Sequence, residues 1–406
     1  MSDKRGMTLV ELMVSLAIVM LIVATASAAY IKFLLSYKTH SSISESYMSN
    51  LTGLELLRYD IEMAGYGLPS NTNGIAYTEA ASAHYGGDAN LPDPSTLNDT
   101  ATPAPRAFVV AKSANANNSD ILAIKSTLAN LNPTSKKWSI ITSAPAASDA
   151  SLTVGPKVKL WGGTALDPVM DFTTGDNIMV LDNNGVLQSN AGTWCYSFNA
   201  SAPYTGYYSN ATAIAPGAGA DKVYYVYGLD NSAGAHVMPF NRVDYFLAPT
   251  TNKSCADFPN AFALYRGVVN QADGSIPAPA PVLIDCVKDF QVAFGVNPTG
   301  NQIVWQSDLN QENVPSGAGA GVAMTAAQIQ QYLRELRIYV IYQQGRGKIS
   351  KSPDYEFSGS FSPGSDLVPA LNLNGTWTPA GQDVYYHWKM TEMDVKPVNL
   401  VNLLAR

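Results

Sequence analysis

Glu11 is a carboxylate in an apolar setting. It falls within Met7-Thr8-Leu9-Val10-Glu11-Leu12-Met13-Val14-Ser15-Leu16-Ala17-Ile18-Val19-Met20-Leu21-Ile22-Val23, and no residue from Leu12 to Ile31 is charged. Roughly twenty apolar residues at about 1.5 Å rise cross a ~30 Å hydrocarbon layer. An ionised side chain at the edge of such a segment needs a partner or an interfacial position. Lys4 and Arg5 precede the run and favour a cytoplasmic start, which places the downstream chain across the membrane. A secretory signal competes for this segment. Its apolar region is shorter, about 7–15 residues, and ends at a small-x-small site. Ala24-Thr25-Ala26 and Ala26-Ser27-Ala28 imitate that site, but the polar Thr8 and Glu11 come before the apolar run rather than after it.

Other residue types capable of chemistry are scattered. Cys195, Cys255 and Cys286 have no Cys-x-x-Cys spacing, which disfavours zinc. Cys286 lies in the apolar run Val282-Leu283-Ile284-Asp285-Cys286-Val287 and reads as a small buried hydrophobe. Cys195 and Cys255 sit in polar, turn-rich surroundings and form the expected disulfide of an oxidising compartment. A nucleophile elbow and His-Glu-x-x-His are absent, and Gly345-Arg346-Gly347-Lys348 lacks the Ser or Thr of a phosphate loop. His40, His84, His236 and His387 are far apart in the sequence. Asp182-Asn183-Asn184-Gly185 begins like a calcium loop without its later ligands, so it reads as a turn; Asp88, Asp93 and Asp99 have no ligand spacing. The expectation is a protein without an enzymatic site, cofactor or metal.

The elements that carry these residues are legible in outline. The chain has 406 residues, 14% charged, with 22 tyrosines and a net charge of −7. That length allows one large or two ordinary domains, and the acidic balance offers no basic field for nucleic acid. A stripe at three- and four-residue spacing continues past the apolar run through Leu51, Leu54, Leu57 and Ile61, with a polar gap near 41–44. One helix from about Met7 to Ala64 measures roughly 85 Å. Gly65-Tyr66-Gly67-Leu68-Pro69 stops it. Residues 70–105 are rich in Gly, Pro, Asn and Ala without periodicity and read as an excursion or insertion loop. Strands are expected at Ala107–Ala111, Asp120–Lys125, Trp138–Thr142, Lys157–Trp161, Asn177–Leu181 and Val223–Tyr227. More follow at Val243–Leu247, Phe262–Arg266, Val282–Val296, Leu336–Tyr342 and Val384–Val395, with a short helix near Thr325–Leu333.

Lys4-Arg5-Gly6 followed by Met-Thr-Leu-Val-Glu-Leu resembles the class III signal of type IV prepilins and pseudopilins, with Met7 where that family usually has phenylalanine. The resemblance implies that prepilin peptidase cuts between Gly6 and Met7 and methylates Met7. Glu11 then becomes the fifth mature residue, the family's assembly glutamate. A second stretch, Leu57-Arg58-Tyr59-Asp60-Ile61-Glu62-Met63-Ala64-Gly65-Tyr66-Gly67, resembles PilW-type minor pilins, as do the strands carrying Leu-Tyr-Arg, Val-Lys-Asp-Phe-Gln-Val, Leu-Arg-Ile-Tyr-Val and the final Tyr-x-Trp-Lys. Arg58 and Asp60 read as fixing the helix to the domain.

These resemblances imply a pilin-like α+β fold, a long N-terminal helix on a large antiparallel sheet domain with long loops. They divide the chain into a leader (1–6), a membrane or filament-core half-helix (7–30), an amphipathic half (31–66) and a β-rich domain (67–406, with 70–105 as the insertion). The implied precursor is a single-pass inner-membrane protein with a periplasmic domain, later carried into a pilus at the cell surface. Its implied partners are prepilin peptidase and other minor and major pilins. The alternatives are a J-type minor pseudopilin of type II secretion and a tip adhesin, the latter suggested by Tyr204, Tyr207 and Tyr208 in a turn-rich stretch.

Overall fold

The computed structural model describes residues 8–99, 104–143, 157–162, 166–189, 192–201, 205–208, 223–231, 236–256, 258–300, 302–315, 317–345 and 356–402. Helix α1 (Leu9–Glu62) runs unbroken for 54 residues. No proline removes a backbone donor within it, and its Leu, Met and Ala residues are strong helix formers. Beyond its end Gly65 and Gly67 both take positive φ, 82° and 68°, a conformation that costs other residues a Cβ clash.

Strands β1 (Phe108–Ala111) and β2 (Ile121–Ser126) pair antiparallel. The chain then leaves them for β3 (Trp138–Ser143), β4 (Lys157–Val158), β5 (Asn177–Asp182), β6 (Tyr196–Ser201), β7 (Thr205–Tyr208) and β8 (Tyr224–Gly228). These six make a sheet of their own, in the order β4-β3-β8-β5-β6-β7. The return strand β9 (Asn241–Pro249) pairs directly with β2, Tyr245 opposite Leu122. Next come β10 (Phe262–Val268), β11 (Val282–Val296), β12 (Val304–Gln306) and a hairpin of β13 (Asn310–Gln311) and β14 (Gly319–Ala323). Helix α2 (Ala326–Tyr332), β15 (Leu333–Gln344), β16 (His387–Val395) and α3 (Val398–Asn402) complete the described chain. The main sheet has eight strands, ordered β1-β2-β9-β10-β11-β15-β16 with β12 alongside β11. The smaller sheet is thus inserted between two strands that are neighbours in the larger one. The architecture is the expected α+β arrangement, a long N-terminal helix followed by an antiparallel, sheet-rich globular domain.

Period-two alternation gives the main sheet two buried faces. On one, Leu122, Ile124, Val243, Tyr245, Val292 and Ile338 meet Leu54, Leu57 and Ile61 of α1. Each such side chain, fully buried, contributes about 1.5–3 kcal/mol. On the other face, Tyr85, Leu91 and Leu97 cover Val109, Ile121, Ala123 and Phe246. Composition predicts an excursion or insertion loop over 70–105. The described part of that stretch is irregular yet closely packed, because Tyr85, Leu91 and Leu97 point into the sheet. Tyr85 stacks on Phe246 at 4.0 Å. Residues 356–380 cover the far end of the same face, with Leu367 and Leu373 against Tyr339 and with Phe361 and Trp377 near Trp388.

Candidate functional site

The start of α1 is closed by its own side chains. Thr8 is the N-cap; its Oγ1 accepts from the Glu11 amide (3.3 Å), while Glu11 Oε2 accepts from the Thr8 amide (2.8 Å). This capping box satisfies two amide donors that the first helical turn leaves open. Glu11 therefore has a local partner in the isolated chain, one that the Thr8-x-x-Glu11 spacing ahead of the apolar run could have signalled. Gly6 and Met7, the expected processing site, lie outside the described residues.

From Leu9 to Leu35 every large apolar side chain is exposed. The hydroxyls interrupting this surface turn back onto the helix: Ser15 donates to the Leu12 carbonyl (2.9 Å), and Thr25 to those of Leu21 and Ile22 (3.0 and 2.9 Å). With those donors satisfied internally, the uncharged stretch from Leu12 to Ile31 presents a mainly apolar surface. It is the one helix among the described residues long and apolar enough to cross a membrane.

The far end of α1 is keyed into the domain. Asp60 is buried, accepting from Tyr245 Oη (2.6 Å) and Arg266 Nε (2.8 Å), while Arg266 Nη2 reaches the Ala129 carbonyl (2.6 Å). Burial holds the Asp60 carboxyl above its ordinary range against the opposing pull of Arg266, and burial and the Asp60 charge push the Tyr245 phenol well up. Arg58 stays on the helix surface, paired with Glu62 (3.0 Å) and Glu55 (3.9 Å). So of the two residues expected to fix the helix, Asp60 does so and Arg58 does not. Gly53 lets α1 approach β11: a Cβ there would stand 2.5 Å from the Leu283 carbonyl oxygen. Tyr66, between the two positive-φ glycines, meets Tyr227 of the smaller sheet edge-on (5.4 Å, 87°). The Gly-Tyr-Gly stop is thereby a joint between α1 and both sheets.

The expected Cys195–Cys255 bridge does not form. Cys255 is joined to Cys286, and Cys195 is outside any disulfide. The reason is a bulge in β11: pairing with β10 shifts register between Ile284 and Val287, and Cys286 takes a positive φ of 55°. The extra residue turns Cys286 off the helix-facing side, where simple alternation would have buried it. The tyrosines 204, 207 and 208 are not described beyond the backbone of β7, so the surface they were expected to form lies outside the described residues.

Sequence reasoning also missed a buried ionic cluster under residues 79–99. Arg242 donates to Asp244 (2.7 and 2.8 Å) and to Glu79 (2.9 Å); Lys125 donates to Glu79 and Asp99 (both 2.7 Å); Arg106 holds Asp99 (2.5 Å). The available signal was a lone charge inside each apolar strand, Lys125 after Ile121-Leu-Ala-Ile and Arg242 beside Val243. Their cross-strand registry, Lys125 opposite Arg242, is set only by the fold. Among the described residues no group of three or more His, Cys, Asp or Glu is arranged to hold a metal ion.

Residues 1–27 match the family model of the prokaryotic N-terminal methylation motif. The motif supports a type IV pilin- or pseudopilin-like protein. In this pilin-like chain the motif implies processing by prepilin peptidase, and together with the apolar helix it fits a membrane-anchored protein. Neither the curated proteins nor the solved structures compared with the chain yield a match.

Proposed function

We propose that this chain is a minor pilin of the PilW type, acting in initiation or assembly of a type IV pilus, at the tip or in a priming complex with other minor pilins. The observation that carries the reading is the pairing of the methylation motif with an apolar half-helix that nothing in the described chain covers. Such a helix can wait in lipid and then exchange lipid contacts for contacts with neighbouring pilin helices. Glu11 supplies register. Unpaired among apolar helices it is costly, and exchanging its Thr8 contact for a neighbour's N-terminal amine restores the balance only at one axial position. The Leu57–Gly67 segment supports the PilW reading, since it joins α1 to both sheets. The size of the globular domain supports a tip or priming position, where it does not crowd a repeating shaft. This reading assigns the chain assembly, with no catalysis and no cofactor, and places its domain in the periplasm and then at the cell surface.

Mass spectrometry of the N-terminal peptide, from membranes and from sheared pili, tests it. A peptide beginning at methylated Met7 in both fractions is the expected result. The same peptide confined to membranes of a secretion-competent, pilus-free cell moves the assignment to a J-type pseudopilin. A chain retaining Lys4-Arg5-Gly6, or cut near Ala28, removes it altogether.

A further inference from the structure

Helix α1 meets the main sheet at two points and stands off it between them. At Gly53 a Cβ would lie 2.5 Å from the Leu283 carbonyl oxygen of β11, and at Gly345, just past β15, a Cβ would lie 2.9 Å from Ile43 Cγ1. Along α1 the two contacts are roughly 15 Å apart. Between them lies a cavity of about 210 Å³, walled by Glu45, Ser46, Ser49 and Asn50 of α1 and by Asn252 and Asp285 of the domain. Among the described residues Asn50 is the first along α1 to be buried, 4% exposed, and its Nδ2 has no hydrogen-bond partner. An amide donor buried without an acceptor is costly, so this one calls for an oxygen atom in the cavity. The domain wall offers the reverse. Asp285 is held in place by Thr250 Oγ1 (2.9 Å) and Asn252 Nδ2 (3.3 Å). A carboxylate has lone pairs for further donors. Glu45 is a second carboxylate on the wall, and no Lys, Arg or His from the described residues lines it. The cavity thus joins a donor in need of an acceptor to a carboxylate wall that favours a cationic donor.

We propose that this cavity is a binding site for a small free α-amino acid. The Asn50 amide donates to the carboxylate of the zwitterion, and Asp285 accepts from its ammonium. Charge-assisted bonds at both ends hold it across the gap between α1 and β11. Ser46 and Ser49 share that face of α1 and can donate hydroxyls to the same carboxylate. The volume, the share of about seven waters, admits glycine, alanine or serine but no aromatic side chain. Bound there, the amino acid ties the entering helix to the sheet where the packed half of α1 begins. The site is built from the helix–sheet contact alone and does not depend on the assembly reading.

The test is a thermal melt of the full-length protein in detergent micelles, dialysed free of amino acids, over a concentration series of L-serine. Ethanolamine, which lacks the carboxylate, and N-acetyl-L-serine, which lacks the ammonium, serve as comparisons. L-Serine is expected to raise the midpoint by a few degrees as its concentration increases, and each comparison compound to give less than half that rise. Asn50→Leu replaces the amide with an apolar side chain of similar size. Without ligand its midpoint is expected to hold or rise, because a buried orphan donor is removed. With L-serine it is expected to lose most of the wild-type shift. A comparison compound that matches L-serine, or a full shift in Asn50→Leu, is the general effect of an excluded solute and overturns the proposal. So does the lack of any shift with L-serine. The three compounds on the wild-type protein decide the matter even where the variant fails to fold.

Discussion

The two halves of α1 are both rich in apolar residues, yet they are solvated in opposite ways. From Leu9 to Leu35 the large side chains are all exposed, whereas Leu54, Leu57, Ile61 and the following Ala64 are buried against the main sheet. The first half is apolar on every side, so no single sheet could cover it. The second carries one stripe, whose last members, Leu54, Leu57 and Ile61, are covered by one face of one sheet. One stretch of helix is finished by intramolecular packing, and the other requires lipid or further helices. The change comes beyond the polar gap near 41–44, with Leu51 still exposed and Leu54 buried.

Substitutions that separate the halves should rank accordingly. Asp60→Ala leaves Arg266 buried without its carboxylate and should destabilise the domain by about 3–5 kcal/mol. Denaturant melts of the detergent-solubilised chain measure this, and a loss under about 1 kcal/mol would mean the ion pair does not anchor the helix. Leu57→Ala, at a fully buried position, should cost about 2–5 kcal/mol, while Leu16→Ala in the exposed half should change domain stability by less than about 0.5 kcal/mol. Equal effects from the two leucines would erase the distinction between the halves. Gly53→Ala drives a methyl toward the Leu283 carbonyl and should cost about 1–3 kcal/mol, with hydrogen exchange rising first at β11. No change in β11 exchange would show that α1 can lift without penalty.

Acid sharpens the same contrast between faces of the sheet. Burial alone would raise Asp99, but Lys125 and Arg106 hold it below its ordinary 3.8. Its folded value lies under its unfolded one, so its contribution is present above about pH 4 and is lost as pH falls through the depressed value. Asp60 is shifted the other way, by burial. Its protonation as pH falls favours the folded chain. Hydrogen exchange below about pH 4 should therefore quicken in residues 79–99 before it quickens in 54–61. The reverse order would mean that the ionic cluster does not hold the cover in place.

Much of this was legible in the residues. The continuous helix follows from the missing prolines and the stripe, and its stop from Gly65 to Pro69. Most strands were visible from alternation, a local property of the backbone. Residues 70–99 are the irregular stretch that the composition suggests, but their close packing was not legible, because the few side chains that dock it, Tyr85, Leu91 and Leu97, are recognisable only once the sheet they meet exists. The disulfide was misassigned because Cys286, though buried as its apolar run suggested, is turned by a bulge toward Cys255.

By itself the sequence determined what local chemistry encodes: the processing signal, the membrane-length apolar run, the helix stop and the alternation of strands. Each rests on neighbours within a few residues, where spacing is geometry. Only the tertiary structure decided the insertion of one sheet between two strands of another, the Cys255–Cys286 bridge and the clamp of Arg266 on Asp60. The bridge and the clamp join residues 31 and 206 positions apart, and chain entropy leaves such encounters undetermined until register, bulges and burial fix which side chains share an interior.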